Sequence, residues 1–394
     1  MGTFQSKQPR QQAEALDAFV AIRRQIHAAP ELGGDTPDTA ALVADKLQAW
    51  GYQVHRQVGG HGVVGVLKVG DSPRSIGLRA DMDALPMSEK NPFEYASKIP
   101  GRMHACGHDG HTAILLAAAS QLAATRNFNG TLNVIFQPDE EGLAGAKAMI
   151  DDSLFERFPC DSVYALHNMP GLPVGSCVVQ AGPTMASSQR VSIRITGKGG
   201  HGAMPELAVD PISALNSLIN GIQTIKSRNL SVEEYAVISI GMIQAGTVYN
   251  IIPDEASMLL SVRTDTAETQ RKINQRIEGL VKGHAESFGV EVELEFIQLA
   301  PALINSEQES QQLRESLTPL FAEGALLTKM PRKIMGTEDF AYMLQARPGC
   351  YFILGNGTGE FHGCSVHNPH YDFNDELVKI GADCWVKWVQ DYLG

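Results

Sequence analysis

Two kinds of hydrophobic pattern divide this 394-residue chain, and that division constrains the fold more than any single motif. Residues 62–69 (GVVGVLKV), 75–79 (SIGLR), 131–137 (TLNVIFQ) and 163–167 (VYALH) are apolar without alternation, as strands covered on both faces are. Helix-spaced stretches at 11–27, 39–51 and 111–125 accompany them, with Pro30 and Pro37 read as the break between the first two. Helices interspersed with such strands predict an α/β domain: a mainly parallel sheet with helices on both faces. From residue 190 the period changes. RVSIRIT (190–196) and VEVELEFI (290–297) alternate strictly, and amphipathic helices are read at 211–226 and 266–288, with strands at 236–245 and 255–263. Strand, helix, strand, strand, helix, strand is the ferredoxin-like order. After residue 300 the first pattern resumes, with helices at 310–323 and 376–393 and a strand at 350–354. The expected organisation is therefore one α/β domain, 1–185 and 301–394, interrupted by an inserted α+β domain, 186–300.

Composition limits the partners. Lys and Arg total 32 against 44 Asp and Glu, a formal charge of −12, and no basic run or aromatic-basic stripe occurs. That argues against nucleic acid and anionic membrane surfaces, whose phosphates need clustered cations. The start, MGTFQSKQPRQQAEALDAF, has no apolar core of signal-peptide length, and the apolar run around 113–119 is too short to span a bilayer. Six scattered cysteines suit reduced thiols and a cytoplasmic setting better than a disulfide framework.

The chemistry concentrates in five clusters. MHACGHDGH (103–111) packs His104, Cys106, His108, Asp109 and His111 into one turn before an apolar helix. So many borderline-soft donors on a rigid frame point to a metal, whereas a single Cys-x-His would not. QPDEEG (137–142) places Glu140 beside Glu141. Taken alone the pair reads as a solvated acidic loop; in one pocket, adjacent carboxylates sit comfortably only around a cation, one ligating while the other holds a proton from water. In DMDALP (81–86), alternation sets Asp81 and Asp83 on one side, as ligands or as a pair supporting ligands. His167-Asn168 ends VYALH, and His367-Asn368-Pro369-His370 lies in a C-terminal loop. Four of the five directly follow an apolar strand, where open α/β sheets build their sites. No Gly-x-Ser-x-Gly elbow or phosphate loop competes, since GKGGHG (197–202) lacks the hydroxyl after its lysine.

RADMDALPM, MHACGHDGH, FQPDEEG, ALHNMP, GGHGAMP and GTEDFAYM, in that order, resemble the co-catalytic-metal aminoacylase and carboxypeptidase amidohydrolases. The likeness runs from about residue 15 to 394. It is closest to the branch of hippurate hydrolases, indole-3-acetyl-amino-acid hydrolases and N-acetyl-diaminopimelate deacetylases. The resemblance implies two divalent ions (Mn, Zn, Ni or Co) held by Cys106, His108, Glu141, His167 and His367. It implies Glu140 as the catalytic carboxylate and Asp83 as the residue orienting a ligand. His201 matches a lid histidine that in many relatives reaches the partner subunit's active site. Asn250, in VYNIIPDEA, matches a substrate-contacting motif, and Arg263 is a second candidate for the substrate carboxylate. The inserted domain is then a lid through which a homodimer forms.

Asp81 stands where more distant relatives carry a ligating histidine, and its role is left open. Asp139 stands where relatives often have alanine and is expected to point outward. The implied reaction cleaves a small N-acyl amino acid to a carboxylic acid and a free amino acid. Metal-activated water attacks, and Glu140 accepts its proton and passes it to the leaving amine. The alternatives are a dipeptidase or carboxypeptidase on the same fold, and a non-catalytic binding protein, against which the intact Glu140 argues.

Overall fold

The computed structural model describes residues 11–394. The reading of the chain start as free of an export segment rests partly on residues 1–10, which lie outside the described residues. The chain divides into two compact units. Among the described residues, one comprises the chain up to Gly182, Ile304–Arg332 and Asp339–Gly394, the other Pro183–Leu303 and Lys333–Glu338.

The first unit is built on an eight-stranded sheet. Its order is Gln53–Val58, Gly62–Val69, Gly130–Gln137, Ser75–Asp81, Ser162–Pro170, Gly349–Gly357, Cys177–Val178 and Leu326–Leu327. The four central strands, Gly130–Gln137 to Gly349–Gly357, run parallel, so their carboxyl ends share one edge. Antiparallel pairings flank that centre on both sides. The central strands are buried along nearly their whole length, which is why they read as unbroken apolar runs. Helix His108–Thr125 packs against helices Gln11–Ala28 and Glu376–Leu393, and helices Gly145–Asp151 and Phe340–Ala346 pack on each other. Ile114, Leu115, Phe352 and Trp385 fill this core, each large side chain contributing about 1.5–3 kcal/mol relative to exposure.

Two local expectations change. The strand Gln53–Val58 (QVHRQV) had no apolar signature, because it is a largely exposed edge held by pairing with Gly62–Val69. Pro37 is the first residue of helix Pro37–Ala49 rather than part of the break, a position where its missing N–H costs nothing.

The second unit is a four-stranded antiparallel sheet in the order Ala236–Ala245, Glu255–Thr264, Ser188–Thr196, Glu291–Ala300. Helices Pro211–Asn229 and Ala267–Phe288 cover one face, burying Leu218, Ile222, Ile273 and Ile277 against Ile193 and Leu260. The exposed alternate positions explain the period-two pattern. Lys333–Glu338 was expected with residues 301–394 of the α/β domain but belongs to this unit. Arg263 Nη1 donates to Met335 O (3.1 Å) and Thr337 Oγ1 (2.7 Å), Lys333 pairs with Asp265 at 2.8 Å, and Ala186 N donates to Gly336 O. Such contacts join residues some 70 to 150 positions apart, which no local pattern reveals. Among the described residues, no helix is long and apolar enough to cross a membrane.

Candidate metal centre

The carboxyl ends of the parallel strands gather the site. Asp81 ends strand Ser75–Asp81 with Asp83 just beyond, Glu140 and Glu141 follow strand Gly130–Gln137, and His167 lies near the end of Ser162–Pro170. Helix His108–Thr125 opens on His108, three positions before the start read from sequence. Gly107 makes that possible by taking a left-handed φ of 101°, so the chain turns directly from Cys106 into the helix. A Cβ at Gly107 would stand 2.2 Å from Asn168 Oδ1 and 2.6 Å from the Tyr371 hydroxyl, so glycine is required twice over.

The side chains converge with their donor atoms close together. His167 Nδ1 is satisfied by Asn168 O at 2.6 Å, leaving Nε2 3.4 Å from Cys106 Sγ. His108 Nδ1 is held by Asp83 O (2.9 Å) and Asp83 Oδ1 (3.2 Å). Its Nε2 is buried without a hydrogen-bond partner. His367 donates its N–H to Ala105 O (2.7 Å), adopts an unusual φ of 62°, and brings Nε2 to 3.2 Å from Glu141 Oε1. The donors form two groups, Cys106–His108–His167 and Cys106–Glu141–His367, with all atoms of each within 4.8 Å and Cys106 common to both. Glu140 lies beside them, grouped with His108 and Glu141.

The electrostatics match a cation site. Burial and the neighbouring Glu141 push the Cys106 thiol well above its usual range, so a thiolate here needs a cation beside it. Burial would lower the His108 imidazole, yet the Asp81 charge holds it well above the ordinary value, so a cation binding here must displace a proton. Burial would raise the Asp83 carboxyl, but its bond to His108 keeps it below the usual carboxylate range.

The model of the peptidase family M20/M25/M40 matches residues 77–391. The hippurate hydrolase of Campylobacter jejuni is 44% identical over 375 residues, covering 95% of this chain and 96% of that one. An IAA-amino acid hydrolase of Arabidopsis thaliana is 33% identical over 96% of this chain and 86% of its own length. The crystal structure of the Bacillus subtilis YXEP protein, a dinuclear metal binding peptidase from the M20 family, superposes with a TM-score of 0.85. It is 30% identical and covers 97% of this chain and 99% of that one. The chain belongs to the M20 family.

Not every member of the sequence clusters joins the two donor groups. His104 is buried with both ring nitrogens unpartnered, and burial lowers its pKa to about 4. Asp109 turns away to Arg23 (3.0 Å) and His27 (2.9 Å). His111 is occupied on both sides, by Asp81 Oδ1 at 2.7 Å and Asn168 Oδ1 at 2.8 Å. Asp81 also accepts from Arg79 Nη1 at 2.8 Å. Both its oxygens are thus engaged, in the manner of a residue that supports its neighbours. Asp139 does not point outward: it is half-buried, accepts from Gly142 N at 3.1 Å, and fills the space where Gly33 would carry a Cβ. A tight loop needs an acceptor for the Gly142 amide, and Asp139 supplies it; burial and the charge of Asp83 raise its pKa.

Sequence reasoning missed Arg79, Asp339 and Tyr371 as parts of this candidate site, and it quoted Gln137 and Asn168 in their motifs without giving either a role. A signal existed for Arg79, a lone cation inside the apolar run SIGLRA. Within the second unit, a short ribbon pairs His201 with Ile251, and Gly202 N donates to Asn250 O, so His201 and Asn250 stand close together and exposed. Arg263 sits apart from them, bonded to the 333–338 segment.

Proposed function

We propose that this metal-dependent amide hydrolase acts on small N-acyl amino acids, hippurate-like ones foremost, releasing a carboxylic acid and a free amino acid. The chain is an enzyme of the M20 family. The observation that carries the reading is Cys106 shared between two donor groups, with the buried Nε2 of His108 accepting or donating no hydrogen bond. Three imidazoles, a thiolate and a carboxylate suit Mn, Zn, Ni or Co. Cys106, His108 and His167 would hold one ion, and Cys106, Glu141 and His367 the other. Bound there, the ions would supply Lewis acidity toward the amide carbonyl and make water acidic enough to ionise near neutral pH.

The chain's own residues do the rest. Glu140 takes the proton of the attacking water and delivers it to the leaving nitrogen, a single buried carboxylate serving first as base and then as acid. Asp83 fixes the tautomer of His108 by accepting from Nδ1. His201 and Asn250 meet the substrate, His201 near the developing oxyanion. A homodimer forms through the second unit, supported by the unpaired edge strand Ala236–Ala245 with Ile243 half-exposed and Tyr249 fully exposed beyond it. A cytoplasmic setting fits six free thiols.

The test compares release of glycine from hippurate with cleavage of unblocked dipeptides by the metal-reconstituted chain. Preference for hippurate or another N-acyl amino acid is expected. Preference for free dipeptides would replace this reading with a dipeptidase.

A further inference from the structure

We infer that Asp339 is a positioning residue for Glu140: its carboxylate grips both ends of the loop that presents Glu140 and Glu141. The inference rests on Glu140 being the base. The loop, residues 138–144, leaves strand Gly130–Gln137 and enters helix Gly145–Asp151. At the first end, Asp339 Oδ1 accepts from Gln137 Nε2 at 2.6 Å and from Arg79 Nη2 at 3.2 Å. At the other, Asp339 Oδ2 accepts from the backbone amide of Ala146 at 2.9 Å. Arg79 Nε in turn donates to Gln137 Oε1 at 2.8 Å. The three side chains close a buried ring two hundred residues apart in sequence.

The loop needs an external clamp because its own geometry is tight. Gly145 N donates to Asp139 O at 2.7 Å and Leu143 N to Glu140 O at 2.8 Å. Leu143 is held at a left-handed φ of 56°. A Cβ at Gly145 would stand 2.6 Å from Asp139 O. Glu141 N reaches Asp83 Oδ2 at 3.0 Å, so movement of the loop would disturb the support of His108 as well. Three donors converge on Asp339, and a carboxylate accepts from all of them. Asparagine would face at least one with its own N–H. The same Arg79 reaches Asp81 and, through it, His111, so one buried line of bonds ties Asp339 to the floor of the site.

The full chain, reconstituted with Mn(II), is assayed on hippurate as wild type, Asp339→Asn, Gln137→Glu/Asp339→Asn and Glu140→Gln. Amide exchange of residues 138–146 is followed in each. The double variant swaps amide for carboxylate and restores complementary partners. Asp339→Asn is expected to lower kcat about 100-fold with KM nearly unchanged and metal content intact, since a displaced catalytic group costs that much. Exchange of 138–146 should accelerate, and the double variant should recover at least about tenfold of the lost kcat, the coupling of a contacting pair. Should Asp339→Asn not accumulate as folded protein, Gln137→Met loosens the same amides and is read the same way. Wild-type kcat in Asp339→Asn, unchanged exchange, or no recovery in the double variant each overturns the inference. A fully active Glu140→Gln would instead overturn the base assignment, and the exchange result would still decide whether Asp339 clamps the loop.

Discussion

At the scale of single residues, Cys106 carries the most consequence. It is the vertex common to both donor groups, and burial beside Glu141 makes its free thiolate unfavourable. Its charge is therefore stable only with a cation in place. Cys106→Ala removes one donor from each group and should leave well under one tightly held ion per chain, with activity down about 100-fold or more as the metal's contribution is lost. Cys106→Asp keeps an anionic donor and should retain more metal than alanine. Metal analysis of the purified variants decides this: full occupancy in Cys106→Ala would sink the shared-vertex reading. Gly107 belongs to the same scale. A side chain there meets Asn168 and Tyr371, so Gly107→Ala should lose metal binding and several kcal/mol of stability at most, as overpacking at positive φ does, measured by denaturant unfolding.

At the scale of elements, the start of helix His108–Thr125 is anchored from outside the site. Asp109 is buried against Arg23 and His27 of helix Gln11–Ala28, and His27 also reaches Glu89 at 3.2 Å. Burial alone would lower the His27 imidazole, but Asp109 raises it to about 9. A raised pKa means that its charged form stabilises the fold fully below the unfolded value near 6.5. That contribution fades as pH climbs through 9. His27→Gln should therefore cost about 1–3 kcal/mol at pH 6, the range for a broken buried polar pair, and visibly less at pH 10. Urea unfolding at both pH values measures it, and an equal deficit at each would rule the charge out.

This anchoring also shows what the sequence could reveal. The donors Cys106, His108, Glu141 and His167 stood out because local order places them: a strand end or a helix start fixes where each side chain goes. The patterned strands and the inserted unit were legible for the same reason, since periodicity records which faces are covered. Arg23, His27, Arg79 and Asp339 were not legible as partners, because their meaning lies in pairings across 58 to 352 positions. The passage of Lys333–Glu338 to the second unit and the pairing of Gln53–Val58 escaped likewise.

At the scale of the whole molecule, the proposed homodimer bears on whether one chain completes a site by itself. His201 and Asn250 sit together on an exposed ribbon of the second unit, beside the apolar Tyr249 and the edge strand Ala236–Ala245. A two-fold interface would cover that edge and remove its unpaired backbone groups. If His201 serves the partner's centre, an inactive Glu140→Gln chain and an inactive His201→Ala chain complement each other. A mixed dimer then holds one centre with Glu140 in place and the other chain's His201 beside it. Random exchange makes half of the dimers mixed with one working centre each, so an equal mixture should regain about a quarter of wild-type activity. Ile243→Lys, placed on the edge strand, should shift the protein to monomers in light scattering and abolish that recovery. If the mixture stays inactive while subunits demonstrably exchange, His201 acts within its own chain.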